Sequence, residues 1–326
     1  MKKFNLSIII LIMLVTSVFS ATISVNAKST PAEVNSQGKT EYYALIIGTD
    51  PNVWSDNDAD DMESALINNG WDSQNIEKLT RTQTTKANFI DEMNYLDSTE
   101  DRDDVVLFYF SGHGGTRCIA FYDEWTGTYN RDAMYLFQLG YYFNQLDAKK
   151  LILIFDTCHA GSLKDKENPL MRATSNQFLS ENLNPLQTSI EKEVDPLGIF
   201  GLSGFGRIVI GSCGIFEYAY GSPEYQNGYF TYHYVEGLKG KADSDYNGRV
   251  SVEEAFNYAK PRTIEDTRNN HQTKTQHPTM SDRILGQVDI TNMEESSRDI
   301  ETNLERLIIA FKERVSIILE KLKLYL

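Results

Sequence analysis

Cysteine, proline and positive charge are all scarce in this chain of 326 residues. Three cysteines are too few for a disulfide framework to replace a hydrophobic core. With eight prolines and 21 glycines, collagen-like repeats are excluded. Lys and Arg together number 31 against 46 acidic residues, leaving a net charge of -15. A field of that sign repels phosphate backbones, and no local basic patch offsets it, so the sequence argues against nucleic-acid binding and favours cationic substrates. What is present is ordinary globular material, 41% hydrophobic and 24% charged, enough for one large or two modest domains with a buried core.

Residues 1–27 read as a secretory signal. Lys2 and Lys3 supply the positive end, an apolar stretch runs over 8–15, and small residues offer cleavage after Ser20 or Ala27. Thr16, Ser17 and Ser20 break the stretch short of the roughly 20 apolar residues a membrane span needs. The expectation is a secreted or extracytoplasmic protein, with 28–41 as a linker. An odd number of cysteines then leaves a free thiol. A Cys118–Cys213 bridge is one pairing to weigh, and Cys158 is the thiol that calls for an explanation.

Four short apolar runs, 42–48, 104–110, 150–155 and 207–211, are nearly continuous rather than alternating, the pattern of strands covered on both faces. Helical spacing lies between them at 58–69, 84–96 and 133–146. Strand alternating with helix predicts a doubly wound α/β fold, whose functional groups gather at the carboxyl ends of the strands. Residues 163–206 form a long interruption, first polar and then glycine-rich, that reads as a loop or processing linker. Over 289–326, Ile300, Leu304, Phe311, Val315, Ile318 and Leu322 recur at three- and four-residue steps, an amphipathic helix suited to packing, self-association or membrane-surface contact.

Two of the strands run into reactive side chains. The second continues as Ser111-Gly112-His113-Gly114-Gly115, the third as Asp156-Thr157-Cys158-His159-Ala160-Gly161. A thiol reacts as thiolate, and a nearby imidazole can remove its proton and later give one to a leaving amine. Either residue alone is more often structural; the two at adjacent strand ends favour chemistry.

These motifs resemble those of caspase-like cysteine peptidases, the metacaspase branch in particular. The resemblance extends to 43–48, to Asn57-Asp58-Ala59 with Met62, and downstream through 207–213, Glu217 and Gly228-Tyr229-Phe230-Thr231, covering roughly 42–285. It implies a mainly parallel sheet of about six strands and a His113–Cys158 dyad acting on polypeptide substrates. It also implies an oxyanion hole from the backbone N–H groups of Gly114 and Cys158. His159, adjacent to Cys158 on an exiting turn, is expected to point elsewhere. Asp58, Ser111 and Asp156 fall on the positions lining the metacaspase S1 pocket. Paired carboxylates want a cation between them, which a guanidinium supplies, so cleavage after Arg or Lys is expected. Ser55 departs from the family, standing where a second cysteine is common. Two alternatives remain open: a legumain- or clostripain-like peptidase of different P1 preference, and a non-catalytic, calcium-stabilised scaffold.

Residues 243–254 match the twelve-residue EF-hand template: Asp243, Asp245, Asn247, Arg249 and Glu254 at ligand positions 1, 3, 5, 7 and 12, and Gly248 at 6. No second loop accompanies it, so a structural calcium ion is the expectation. Metacaspase-type calcium activation would use acids soon after the His motif, and Asp123, Glu124 and Asp132 match that pattern poorly. Lys164, Lys166 and Arg172, shortly after Cys158, are candidate self-cleavage points of a zymogen.

Overall fold

The computed structural model describes residues 40–164, 202–271 and 274–291. The signal segment, most of the 163–206 loop with Lys166 and Arg172, and the C-terminal helix expected within 289–326 lie outside the described residues. Asp289, however, bridges Ser251, and the Ile290 amide donates to Val250, so the folded domain runs to at least residue 291. No helix among the described residues is long and apolar enough to cross a membrane.

A six-stranded sheet organises the domain. Its members are β1 (Tyr42–Gly48), β2 (Ile76–Thr80), β3 (Val105–Ser111), β7 (Lys150–Asp156), β8 (Arg207–Gly211) and β11 (Thr279–Asp282), in the order β2-β1-β3-β7-β8-β11. All neighbours are parallel except the β8–β11 edge. The chain steps outward from β1 to β2 and then back across it to β3. That reversal opens a crevice between β1 and β3, where doubly wound sheets bind ligands. A second, three-stranded sheet is formed by β4 (Gly114–Gly115), β5 (Cys118–Asp123) and β6 (Thr128–Tyr135), and a two-residue pair by β9 (Gly221–Ser222) and β10 (Asn227–Gly228).

Alternate residues of the strands feed two cores. Ala44, Ile46, Leu107, Tyr109, Ile152 and Ile154 face α1 (Ser55–Asn68), α4 (Tyr229–Glu236) and α5 (Val252–His271) through Met62, Phe230 and Phe256. Leu45, Ile47, Phe108, Phe110, Leu153 and Phe155 face α2 (Lys86–Thr99) and α3 (Leu136–Phe143) through Phe89, Met93 and Leu139. The central strands β1, β3 and β7 are thus covered on both sides, which is why their sequences are nearly all apolar.

The structure corrects three expectations. Residues 133–135, assigned by spacing to a helix, complete β6, pairing with β5 through Ala133↔Ala120 and Met134↔Ile119, and the helix begins only at Leu136. The first helix starts at Ser55 with Trp54 at its N-cap, so Asp58 lies inside the helix and its carboxylate is free for other work. All three cysteines are free: the Cys213 thiol is turned to the carbonyls of Thr157 and Glu217, not to Cys118.

Glu100, at the end of α2, is an unusual buried acid. One oxygen accepts the Asp147 N–H at 2.7 Å and the other has no partner. Burial foremost, and then the charges of Asp147, Asp104 and Asp97, push its pKa from 4.5 up to about 7. The folded chain therefore holds a proton that the unfolded chain has released above the ordinary value. Stability contributed by this group is full below pH 4.5 and declines as pH rises through about 7. Glu100→Gln keeps the accepting oxygen and should stabilise the protein at pH 8 by on the order of 1 kcal/mol, the worth of about one pKa unit. The gain should vanish below pH 4.5, as followed by urea unfolding at both pH values.

Candidate active site

The site is built on the register of three adjacent strands. Gly48 of β1 pairs with Ser111 of β3, which pairs with Asp156 of β7, so the three strands end in one row. The ladder continues one residue further, Thr49 N–H donating to Ser111 at 3.0 Å and Gly112 N–H to Asp156 at 3.1 Å. His113 and Cys158 each lie two residues past this row, on neighbouring strands. The sequence expectation of adjacent strand ends is what the fold provides.

Beyond β3 the chain enters the small sheet, where the Ala120 amide donates to the His113 carbonyl. Antiparallel ladders alternate, so Gly114, one residue on, directs its N–H away from β5. A Cβ at Gly114 would stand 2.3 Å from Thr157 Oγ1. Only glycine lets this backbone lie against the turn that carries Cys158, bringing together the two backbones expected to form the oxyanion hole. Beyond β7 the turn is fixed by His159, which has a left-handed φ of 59°. The His159 N–H donates to the Glu217 carbonyl at 2.8 Å, and its ring is held by Ile215 O at 3.0 Å and Tyr218. His159 is thus tied to the 212–220 loop, whereas His113 Nε2 lies 2.8 Å from Asp50 Oδ2. Burial, and secondarily the charge of Asp156, raise the Cys158 pKa; its sulfur is 3.9 Å from the Ala219 carbonyl.

Asp58, Ser111 and Asp156 meet under the same row. Ser111 Oγ donates to Asp58 Oδ2 at 2.6 Å, while Asp58 Oδ1 accepts the Gly228 N–H at 2.9 Å and the Asn227 amide at 3.1 Å. Asp156 Oδ2 accepts both the hydroxyl and the N–H of Thr231. The two carboxyls are 1% and 4% exposed. Burial raises both pKa values, and the charge of Asp156 raises that of Asp58 further. Asn227, Gly228 and Thr231 join the site although no chemistry in the sequence marks them for it. The signal was the Gly-Tyr-Phe-Thr stretch, but only the fold shows that it closes over the carboxyls.

The remaining sequence candidates divide. Ligand oxygens of Asp243, Asp245 and Glu254 lie within 4.8 Å of one another, and Gly248 has φ 82°, as the tight turn requires. Glu254 is 5% exposed; burial opposes its ionisation, but hydrogen bonds from Ser251 and Ser244 outweigh that and lower its pKa. Asn247 donates to Asp245, and the Arg249 guanidinium pairs with Asp289 at 3.0 Å, leaving a backbone carbonyl as the group Arg249 could offer. The acids after the His motif do not fit a cation. Asp132 is neutralised by Lys86 at 2.6 Å, and Asp123 accepts hydrogen bonds from Trp125 and Thr126 in its own turn. Lys164 closes a 3-10 turn, Ala160–Lys164, immediately after the Cys158 loop.

A thiol and an imidazole stand past neighbouring strand ends of a mainly parallel, helix-covered sheet. Residues 41–288 match the family model of the caspase domain, and the chain belongs to that family of cysteine-type peptidases. It is 30% identical over 151 residues to Metacaspase-1 of Candida albicans and 26% identical over 151 residues to Metacaspase-1 of Lodderomyces elongisporus. Each match covers 39% of this chain and 33% of the relative, so the chain spans about a third of the length of the curated relatives it matches. A solved structure, protein GSU0716 from Geobacter sulfurreducens, is 15% identical, with 76% of this chain and 94% of that one covered at a TM-score of 0.47.

Gly228 tests the packing of the site. A Cβ there would be 2.4 Å from Asp156 Oδ2 and 3.1 Å from Asp58 Oδ2. Gly228→Ala should destabilise the fold by roughly 1–3 kcal/mol through overpacking. Gly221→Ala is the comparison, since its Cβ would meet the Trp54 ring rather than the carboxyls. Thermal melts of both variants read the cost.

Proposed function

We propose that the protein is a cysteine endopeptidase that cleaves peptide bonds after Arg or Lys. His113 removes the Cys158 proton, the thiolate attacks the scissile carbonyl, and the N–H groups of Gly114 and Cys158 receive the developing oxyanion. Such donors are worth a few kcal/mol of barrier. The observation that carries the P1 reading is the buried pair Asp58–Asp156, with no lysine or arginine among the described partners of either carboxyl. Burying acids without a counter-charge is costly, and the cost is relieved when a guanidinium or ammonium enters between them. Ser111 then serves as a third polar contact. Export and self-processing at Lys164, Lys166 or Arg172 belong to the same reading, as does self-association or membrane-surface contact through 289–326. They are supported by sequence pattern alone.

Fluorogenic peptides with Arg, Lys, Asn or Asp at P1 test the proposal. Arg and Lys substrates should be hydrolysed, and Cys158→Ala and His113→Ala should abolish turnover. Asp58→Asn should lower kcat/KM for Arg by roughly 100-fold or more, in keeping with loss of a buried charge partner. The same variant should melt higher at neutral pH, because the raised pKa of Asp58 makes its ionisation a cost to the folded state above the ordinary carboxylate range. Hydrolysis of the Asp or Asn substrate alone would sink the basic-P1 assignment.

The 243–254 loop is proposed to hold a structural calcium ion, a reading supported by the template match and the convergence of Asp243, Asp245 and Glu254. Ion binding to the folded state alone adds about 2.7 kcal/mol at a hundredfold excess over Kd. Calcium should therefore raise Tm by several degrees and a chelator reverse it, whereas Glu254→Gln should show neither response. Identical melts with calcium and chelator would remove this proposal without touching the peptidase reading.

A further inference from the structure

We infer that Asp50 is the positioning residue of the site, holding His113 so that its Nδ1 lone pair is the one offered to Cys158. The inference rests on the peptidase reading. Three observations carry it. Asp50, His113 and Cys158 each stand two residues beyond the row Gly48, Ser111, Asp156, on three consecutive strands of the sheet. Asp50 Oδ2 lies 2.8 Å from His113 Nε2, with the Asp50 side chain 10% exposed against 35% for His113, so the buried partner anchors the accessible one. Finally, the two Asp50 oxygens are divided. Oδ1 accepts from the Asn52 N–H and side-chain amide, each at 2.9 Å, which fixes the carboxylate plane, and Oδ2 is left for the imidazole.

The chemistry follows from donor and acceptor rules. An ionised carboxylate only accepts, so the imidazole nitrogen facing it must carry the hydrogen. That sets the Nε2–H tautomer and leaves the lone pair on Nδ1. Nδ1 takes the Cys158 proton as sulfur bonds to the scissile carbon. The imidazolium, its Nε2–H held by Asp50, returns that proton to the amine as the C–N bond breaks. Water then gives a proton to Nδ1 as its oxygen bonds to the thioester carbon, and the proton goes to sulfur as the C–S bond breaks. The neighbouring charges leave this pairing intact. Arg81 binds Asp56 through Nε at 2.9 Å and a terminal nitrogen at 2.7 Å; Tyr129 lies within electrostatic reach of Asp50, Asp56 and Arg81; Asp156, Cys213 and Tyr220 are titratable groups near Cys158.

Asp50→Asn separates positioning from structure. The amide oxygen can keep the Asn52 contacts while its NH2 faces Nε2, forcing the opposite tautomer and turning Nδ1–H toward the thiol. For a thiol nucleophile, less dependent on its base than a hydroxyl, kcat should fall about 10- to 100-fold with KM within about twofold. The pH at which iodoacetamide alkylates Cys158 should move upward, because the imidazolium opposite the thiolate loses its counter-charge. Asp50→Glu should recover part of kcat. In a His113→Ala background, Asp50→Asn should have no further effect on alkylation. A wild-type alkylation profile in Asp50→Asn, or an equal added loss in the His113→Ala background, would overturn the inference. Alkylation needs no peptide, so failure of the P1 proposal and failure of this one are distinguishable.

Discussion

Parallel strand pairing is the constraint on which this molecule turns. Each rung from Tyr42↔Val105 to Gly48↔Ser111, and from Val105↔Lys150 to Ser111↔Asp156, fixes the next. Because side chains alternate with period two, a slip of one residue would exchange the two cores and move every strand end. Apolar cover on both faces therefore does more than stabilise the sheet. It sets to within one residue where Asp50, His113 and Cys158 emerge. The chemistry then depends on short exits: Thr49 and Gly112 extend the ladder by one more bond, and the chain has little room to wander before its reactive group.

Beneath that row the structure holds a cost. Asp58 and Asp156 are ionisable groups under almost complete burial, satisfied by Ser111, Thr231, Asn227 and the Gly228 backbone, all neutral. Neutral donors lessen the penalty for a buried charge without removing it. A protein selected for stability alone would place apolar residues here. Gly228 sharpens the point, since the position tolerates no side chain against the carboxyls. Strain of this kind, concentrated beside a thiol and an imidazole, is where local rules give way to function.

The central strands were legible in the sequence because burial on both faces writes itself as unbroken apolar runs. The sheet edges were not. β2 reads Ile-Glu-Lys-Leu-Thr and β11 Thr-Met-Ser-Asp, mostly polar because an edge strand has one unpaired side and must discourage further pairing. β6 opens on the mostly polar Thr-Tyr-Asn-Arg-Asp, and its apolar run from Ala133 into Leu136 mimics helical spacing until cross-strand pairing decides the matter. His113 and Cys158 stood out by chemical type and flanking glycine. Asp50 did not, being one acid among many near Asp56, Asp58 and Asp60. Only its shared offset from a strand end distinguishes it, and that offset becomes meaningful once β1 is known to neighbour β3.

The acid pair and the nucleophile also act on one another. A negative charge near a thiol opposes thiolate formation, and Asp156, after burial, is what raises the Cys158 pKa. On the proposed reading an empty site favours the protonated thiol, and His113 with its Asp50 anchor draws off the proton. On the proposed reading, a basic P1 side chain entering between Asp58 and Asp156 neutralises the charge that held the thiol protonated. The same ion pair that selects the substrate then eases ionisation of the nucleophile. Selectivity and activation would share a cause: a peptide lacking the cation meets both a pocket it cannot satisfy and a sulfur less ready to attack.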